Sequence, residues 1–150
     1  SFVSRGLGDV YKRQKLSLNF MFKKRQESPS GKFLNFEFIK EENGVFFFEI
    51  IFPPETASPL NLVQGGMIDA ALDEATSMTA YIAFKEEKLP LTTDHHVLFH
   101  RPMSLGKATM KTKIIKYGKT VTTIEGKLFD QNERLVATML HTALPTSIPN

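Results

Sequence analysis

The stretch NLVQGGMIDAALDEATSMTAYIAF, from Asn61 to Phe84, decides the fold because it carries the helical periodicity of the chain. From Gly65 onward, apolar side chains recur at the spacing of three and four residues that places them on one face of a helix. KEEKLP then ends the pattern. We therefore expect a helix from about Gly65 to Phe84, with an apolar face formed by Ile68, Ala71, Leu72, Ala75, Met78, Thr79 and Ile82.

The other side of this helix is predicted to be small and polar. Its residues are Asp69, Asp73, Thr76, Ser77 and Ala80. A carboxylate on a polar helix face is usually solvated, so the pattern alone does not decide between a solvent-exposed surface and an interface with another subunit. We consider Asp69, Asp73, Ser77 and Ala80 on this side as a surface at which a second copy of the chain could bind.

Two adjacent glycines, Gly65 and Gly66, begin the predicted helix directly after Gln64. A helix N-terminus presents unpaired N–H groups and about half a unit of positive charge. Glycines there let a ligand approach the backbone closely, which suits a phosphate or the developing oxyanion of a polarised carbonyl. The alternative is a tight turn with no ligand.

Asp73 lies eight residues beyond Gly65, which is about 12 Å along a helix axis. This distance is too large for both residues to act on one small carbonyl within a single subunit. A site that uses both would join the carboxylate of one chain to the glycine turn of another.

Strand patterns flank the helix on both sides. FLNFEFI (Phe33–Ile39) alternates, VFFFEIIF (Val45–Phe52) is almost continuously apolar, and KEENG between them indicates a hairpin loop. The order β-β-α-β-β-β-β predicts an α+β domain, with an antiparallel sheet of about six strands around one long helix. The strands expected after the helix are TTDHHVLFHRP, KATMKTKIIKY, TVTTIEGKLFD and RLVATMLHTAL.

Composition excludes several classes of protein. The 150 residues contain no cysteine, which excludes disulfides, a thiolate nucleophile and cysteine-ligated zinc, and which fits a reducing compartment. No apolar run approaches the roughly 20 residues of a membrane span. Residues 1–25 hold seven basic residues and one acidic residue, whereas the remainder holds twelve basic and fifteen acidic residues. Because the basic excess is confined to that segment, the charge gives little argument for a nucleic-acid partner. Together with the missing cysteine and the missing membrane span, this leads us to expect a cytoplasmic protein with neither a nucleic-acid nor a membrane partner.

The first residues of the chain are set apart by their sequence. SFVSRGLGDVYKRQ resembles the translated adapter remnants found at the ends of reading frames from shotgun assemblies. We therefore expect residues 1–20 to be a non-native or disordered segment, and residues 21–150 to form the domain.

The element order and the segment SPLNLVQGGMIDAALDEATSMTA resemble the hotdog-fold acyl-CoA thioesterases of the PaaI-like, phenylacetate-pathway type. That family reads Asn-Pro-x-Gly-x-x-His/Gln-Gly-Gly, then Asp eight residues after the first glycine of the pair, and Phe-x-Arg-Pro on a later strand. Here Gln64-Gly65-Gly66, Asp73 and Phe99-His100-Arg101-Pro102 stand in the same register. The resemblance extends from about Phe33 to Leu144 and implies a hotdog fold.

The resemblance also implies roles for individual residues. Asp73 would be the general base for water or the nucleophile on the thioester. The N–H of Gly66, with that of Gly65, would polarise the thioester carbonyl, and Gln64 would orient the thioester. Thr92, ten residues before the strand proline, would help to place the water or the carboxylate.

Two residues depart from the family pattern. Ser58 stands where the family has Asn, and Asn61 stands where it has Gly. Asn tolerates a positive φ, so the turn can survive the second change. By the resemblance, the substrate-binding residues would be Gly65, Ser58, Asn61, Arg101 and Lys119, and the basic residues that could meet CoA phosphates are Arg101, Lys107, Lys116 and Lys119.

The resemblance implies hydrolysis of acyl-CoA thioesters, without a cofactor, by a homodimer or homotetramer whose sites lie between subunits. A non-catalytic acyl-CoA or acyl binding module on the same fold is the first alternative. An acyl-thioester hydratase is the second, although such relatives pair an acid with a histidine on the helix and this helix has none.

The histidines elsewhere suggest one further kind of site. Asp94, His96 and His100 share one face of a strand, where they could bind a metal or form a polar surface of the sheet. Because no further ligand is evident, we expect no metal site. His141 stands alone on an apolar strand and is interpreted as structural.

Overall fold

Residues 23–148 are described by a computed structural model, in which six strands and one long helix follow the predicted order. The chain divides after Phe33 into two compact units. Residues 1–20, which the sequence sets apart, lie outside the described part of the chain. The elements are helix α1 (Pro29–Phe33), strands β1 (Phe36–Glu42) and β2 (Val45–Phe52), a 3₁₀ helix (Pro54–Thr56), helix α2 (Gly65–Ala83), and strands β3 (Lys88–Phe99), β4 (Gly106–Lys116), β5 (Thr122–Phe129) and β6 (Leu135–Ser147).

The six strands form one sheet in the order β1-β2-β4-β5-β6-β3, and all five pairings are antiparallel. The α+β prediction, an antiparallel sheet of six strands with one long helix, is confirmed. Strands β1 and β2 are joined by a tighter turn than the predicted loop, since Asn43 and Gly44 alone connect them. Their φ angles of 52° and 79° are the positive values that a two-residue type I′ hairpin needs.

Helix α2 ends one residue earlier than predicted, with Phe84 as its C-cap. Lys85 and Glu86 follow with φ angles of 53° and 63°, so the chain reverses sharply at the helix end. Strand β3 begins at Lys88, inside the segment that the sequence assigned to the helix terminator. Among the described residues, no helix is long and apolar enough to cross a membrane.

The predicted apolar face of α2 is confirmed, because all seven of its residues are buried. The prediction that Thr76 and Ala80 lie on the side away from the buried face is wrong. Both are completely buried, since the helix packs against strands β2 to β6 and more than one stripe of it is covered. Ala80 packs in a cluster with Phe84, Ile124 and Ala143, so it cannot belong to an interface with a second copy.

Thr76 is buried against Gly126 of strand β5. A Cβ atom at Gly126 would lie only 2.8 Å from Cγ2 of Thr76 and 3.2 Å from Cδ2 of Leu72. These separations are shorter than van der Waals contact, so the helix lies this close to the sheet only because residue 126 has no side chain.

We predict that Gly126→Val destabilises the fold by about 1–3 kcal/mol, because the new side chain overpacks the contact between α2 and β5. The midpoint of urea unfolding, measured at one fixed protein concentration, checks the prediction. Lys127→Ala on the same strand is the matched control, since the Lys127 side chain is exposed and its Glu125 contact is 3.6 Å long. Equal midpoints for Gly126→Val and the wild type would contradict the proposed packing.

Candidate active site

The glycine turn opens helix α2 with its first N–H groups available. Gln64 is the N-cap residue, and its Oε1 accepts a hydrogen bond from the Met67 N–H at 3.2 Å. The Gln64 N–H donates to the Thr56 carbonyl at 2.8 Å, which fixes the approach of the chain. Among residues 23–148, the N–H groups of Gly65 and Gly66 have no hydrogen-bond acceptor, as expected for the first positions of a helix.

A cleft of about 430 Å³ lies at this end of the helix. Gly65 lines it, and a Cβ atom at Gly65 would lie 3.4 Å from the ring of Phe99. Arg101 also lines the cleft, while its Nε donates to the Leu135 carbonyl at 2.8 Å. The structure therefore brings Gly65 and Arg101 together, whereas Lys119 lies in the exposed link between β4 and β5, away from this lining.

Ser58 and Asn61 shape the loop that leads to the glycine turn. The Ser58 N–H donates to the Leu62 carbonyl at 2.7 Å, and the Asn61 N–H donates to the Ser58 carbonyl at 2.9 Å. Ser58 Oγ accepts from the Leu60 N–H at 3.3 Å. Asn61 has a φ of 58°, so it does adopt the left-handed conformation that its place in the family pattern requires.

Asp73 lies further along α2 and contacts a histidine of strand β3. Its Oδ1 is 3.0 Å from Nε2 of His95, and Oδ1 of Asp69, one turn earlier, is 3.3 Å from Nδ1 of the same ring. Ser77 Oγ donates to Asp73 Oδ1 at 3.4 Å. The imidazole therefore lies between two carboxylates of adjacent helical turns.

The contacts around His95 are close in distance but poorly directed. Nε2 of His95 and Oδ1 of Asp69 are buried, and neither has a hydrogen bond of good geometry within the described part of the chain. We therefore treat the two carboxylate contacts as charge contacts. As charge contacts, they are favourable only when the ring carries a positive charge.

Burial raises the pKa of Asp73 above its usual value. A positive charge on His95 opposes this shift and the neighbouring Glu74 adds to it, while contacts with His95 and Ser77 also lower the pKa. A carboxyl group with a raised pKa is a better proton acceptor than a free aspartate, which suits a general base near neutral pH.

His141 lies directly beneath His95 and is completely buried. The two rings meet edge to face, with centroids 4.4 Å apart. Nδ1 of His141 is 2.7 Å from Thr76 Oγ1, and Nε2 is 2.9 Å from Thr92 Oγ1. Burial, together with the charge of His95, lowers the pKa of His141 to about 4, so this ring is neutral at neutral pH.

The hydrogen bonds of Thr76 indicate which nitrogen of His141 carries the proton. The Thr76 hydroxyl also lies 2.7 Å from the Leu72 carbonyl, to which it can only donate. We therefore assign the proton to Nδ1 of His141, which donates to Thr76, and Nε2 accepts from Thr92. Thr92 thus contacts His141 and reaches Asp73 only through the two histidine rings.

A β-bulge explains why Thr92 and His95 face the same ring. Residues three apart on a regular strand point to opposite faces. The register of β3 against β6 shifts between Thr92 and Asp94, and this extra residue turns Thr92 to the face of His95. Sequence reasoning missed His95. A usable signal was present, because His95 stands two residues before Val97 and so shares its face of the strand, and Val97 pairs with buried Met139.

Asp73, His95 and His141 have ligand atoms within 4.8 Å of one another, which is the spacing of a metal site. Both nitrogens of His141 are engaged by threonine hydroxyls, so only two of these residues could offer a ligand. Protein zinc sites use three or four protein ligands, and the cluster does not fit one. The alternative set, Asp94, His96 and His100, is exposed; His96 pairs with exposed Leu140 on the outer face of the sheet.

Comparison with known proteins gives the family. The model of the thioesterase superfamily matches residues 60–137, more than half of the chain. A Saccharolobus solfataricus protein named "Putative esterase SSO1253" is 27% identical over 110 residues, which cover 73% of each chain.

Solved structures show the same fold. The Escherichia coli PaaI protein from the phenylacetic acid degradation operon has a TM-score of 0.78 at 14% identity, covering 92% of this chain and 98% of that one. Streptococcus mutans smu.793, solved bound to acetyl CoA, has a TM-score of 0.68 at 15% identity, covering 77% and 92%. These likenesses confirm the hotdog fold, and with the family match they show that the chain belongs to the thioesterase superfamily and is a thioester hydrolase.

Proposed function

We propose that the protein hydrolyses acyl-CoA thioesters to a free acid and CoA, with Asp73 as the general base. The observation that carries this proposal is the Asp73 carboxylate, which is half-buried on the same helix whose glycine turn opens to the cleft. The thioesterase family match supports a thioester substrate. The structural relative bound to acetyl CoA supports CoA as the carrier.

In the proposed reaction, the thioester carbonyl oxygen binds at the N–H groups of Gly65 and Gly66. Asp73 takes a proton from water, and the water oxygen attacks the carbonyl carbon. The negative charge that develops on the carbonyl oxygen is stabilised by the helix N-terminus. The C–S bond then breaks, the proton passes from Asp73 to the departing thiolate, and the carboxylate is regenerated.

Gln64 fits the role of an orienting residue. It carries no titratable proton, and its Oε1 already binds the Met67 N–H. The proton transfers therefore fall to Asp73. Gly66 is exposed and lies beside this side chain: a Cβ atom at Gly66 would lie 2.9 Å from Oε1 of Gln64. We therefore expect the Gln64 amide group and the thioester carbonyl to lie side by side at the glycine turn.

We propose that two subunits share each site, in a homodimer or a homotetramer. Asp73 and Gly65 are about 12 Å apart along one helix, given the rise per residue. Strand β3 is an edge of the sheet, and large apolar side chains on it are exposed, including Leu91, Leu98 and Phe99. A second copy that covers this edge would also place its own carboxylate near the first copy's glycine turn.

Asp73→Asn is expected to lower kcat/KM for acyl-CoA by at least about 100-fold, because the amide cannot accept the proton of water. Thiol release from aryl-, short- and medium-chain acyl-CoA measures the effect. Because the amide has the shape of the carboxylate, acyl-CoA binding should persist. Glu133→Gln, which changes an exposed carboxylate in the link between β5 and β6, is the matched control and should retain full activity.

Full thiol release by Asp73→Asn would exclude Asp73 as the base. Tight acyl-CoA binding by the wild type without any thiol release would instead identify a binding module. The two outcomes are separable, because binding and thiol release are measured on the same preparations.

Mixed dimers test whether each site joins two subunits. Gly66→Pro removes the N–H that polarises the carbonyl, and Asp73→Asn removes the base, so each homodimer should be inactive. After random exchange of equal amounts, about one quarter of the wild-type activity should return, because half of the dimers are mixed and each retains one intact site. No recovery, despite exchange shown by mass spectrometry, would mean that each site lies within one chain.

A further inference from the structure

His95 is the feature of the site that the family pattern does not account for. Its side chain is 19% exposed and lies between Asp69 and Asp73, which are 40% and 38% exposed. Ionised carboxylates can only accept hydrogens, so both contacts are favourable only when Nδ1 and Nε2 each carry a proton. The surroundings of the ring therefore suit an imidazolium.

We propose that His95 is a positioning residue for Asp73: its imidazolium keeps the carboxylate in the charged form that a base needs and occupies one of its two oxygens. This inference rests on the proposed function of Asp73. His95 acts through Asp73 and does not itself contact the substrate.

The contacts of Asp73 support the positioning role. Nε2 of His95, at 3.0 Å, and Oγ of Ser77, at 3.4 Å, both lie against Oδ1. Oδ2 is therefore the oxygen left to accept a proton from water. Because Ser77 is on the same helix and His95 is on β3, the carboxylate is held from two elements.

The groups around the pair determine how it responds to pH. Helix α2 contributes Asp69 and Glu74, and strand β6 contributes His141, which burial keeps neutral. The charges of strands β4 and β5 lie on the other face of the sheet. There, Lys113 and Lys127 contact Glu125. Glu125 pairs with Leu140 of β6, whose side chain is exposed. Among the described groups, His95 is thus the one that faces Asp73 and can carry a positive charge.

The first measurement is the titration of Asp73 itself, which does not depend on catalysis. The chain has five aspartates, so in protein labelled with ¹³C at the aspartate carboxyl carbon the Asp73 signal can be assigned by its absence in Asp73→Asn. In His95→Gln, the lost positive charge should raise the pKa of Asp73 further above that of the wild type. His95→Lys restores a positive charge and should bring the titration back towards the wild type.

The second measurement is the pH profile of kcat/KM. A base works only when deprotonated, so a higher pKa moves the acid limb of the profile to higher pH. The decrease in kcat/KM caused by His95→Gln should be at least about tenfold greater at the acid end of the profile than at the alkaline end, with KM little changed. A purely structural role would lower activity evenly across pH. Lys113→Gln is the control, because it removes an exposed positive charge from strand β4, on the opposite face of the sheet from Asp73.

A wild-type titration of Asp73 in His95→Gln, beside an inactive Asp73→Asn, would overturn the role of His95 and leave the proposed function intact. If the wild type hydrolyses no acyl-CoA, the proposed function fails, and the carboxyl titration still decides whether His95 controls the charge of Asp73. Should His95→Gln fail to fold, His95→Asn is the second neutral variant and is compared with His95→Lys in the same way.

Discussion

The close approach of helix α2 to strand β5 at Gly126 is the constraint on which the candidate site depends. The helix reaches the sheet at this point because no side chain intervenes, and Thr76 fills the contact. The Thr76 hydroxyl then binds the buried ring of His141. Asp73 lies one turn earlier on the same helix. The depth at which the helix packs therefore sets the distance between this carboxylate and the histidines of the sheet.

Two histidine rings in contact lie in different surroundings in this site. His141 is completely buried and makes its hydrogen bonds to neutral hydroxyls, so its protonated form is strongly disfavoured. His95 lies at the edge of the buried region, against two carboxylates. The neutral ring of His141 meets His95 edge to face. Because the partners of His141 are threonine hydroxyls, its hydrogen bonds bring no charge into the buried part of the site.

The sequence was sufficient to predict the fold but only part of the site. Periods of two and 3.6 residues predicted the order of strands and helix along the chain, because both depend on local alternation of apolar residues. The burial of Thr76 and Ala80 was missed, since strands β2 to β6 cover more of the helix than a single stripe. Thr92 and His95 share a face only because of a bulge, and a bulge depends on the pairing between strands rather than on either strand alone. The glycine turn was predictable because its geometry is local.

The left-handed turn at Asn61 limits how the loop before the helix can evolve. At a φ of 58°, glycine and asparagine are accommodated at little cost, whereas a β-branched residue would be strained. The same turn directs Leu62 and Val63 into short pairings with Ser104 and Ala57. Substitution at this position is therefore expected to favour glycine, asparagine and aspartate, because the backbone conformation and not a side-chain contact selects the residue. Family members that differ here can be expected to share one loop shape.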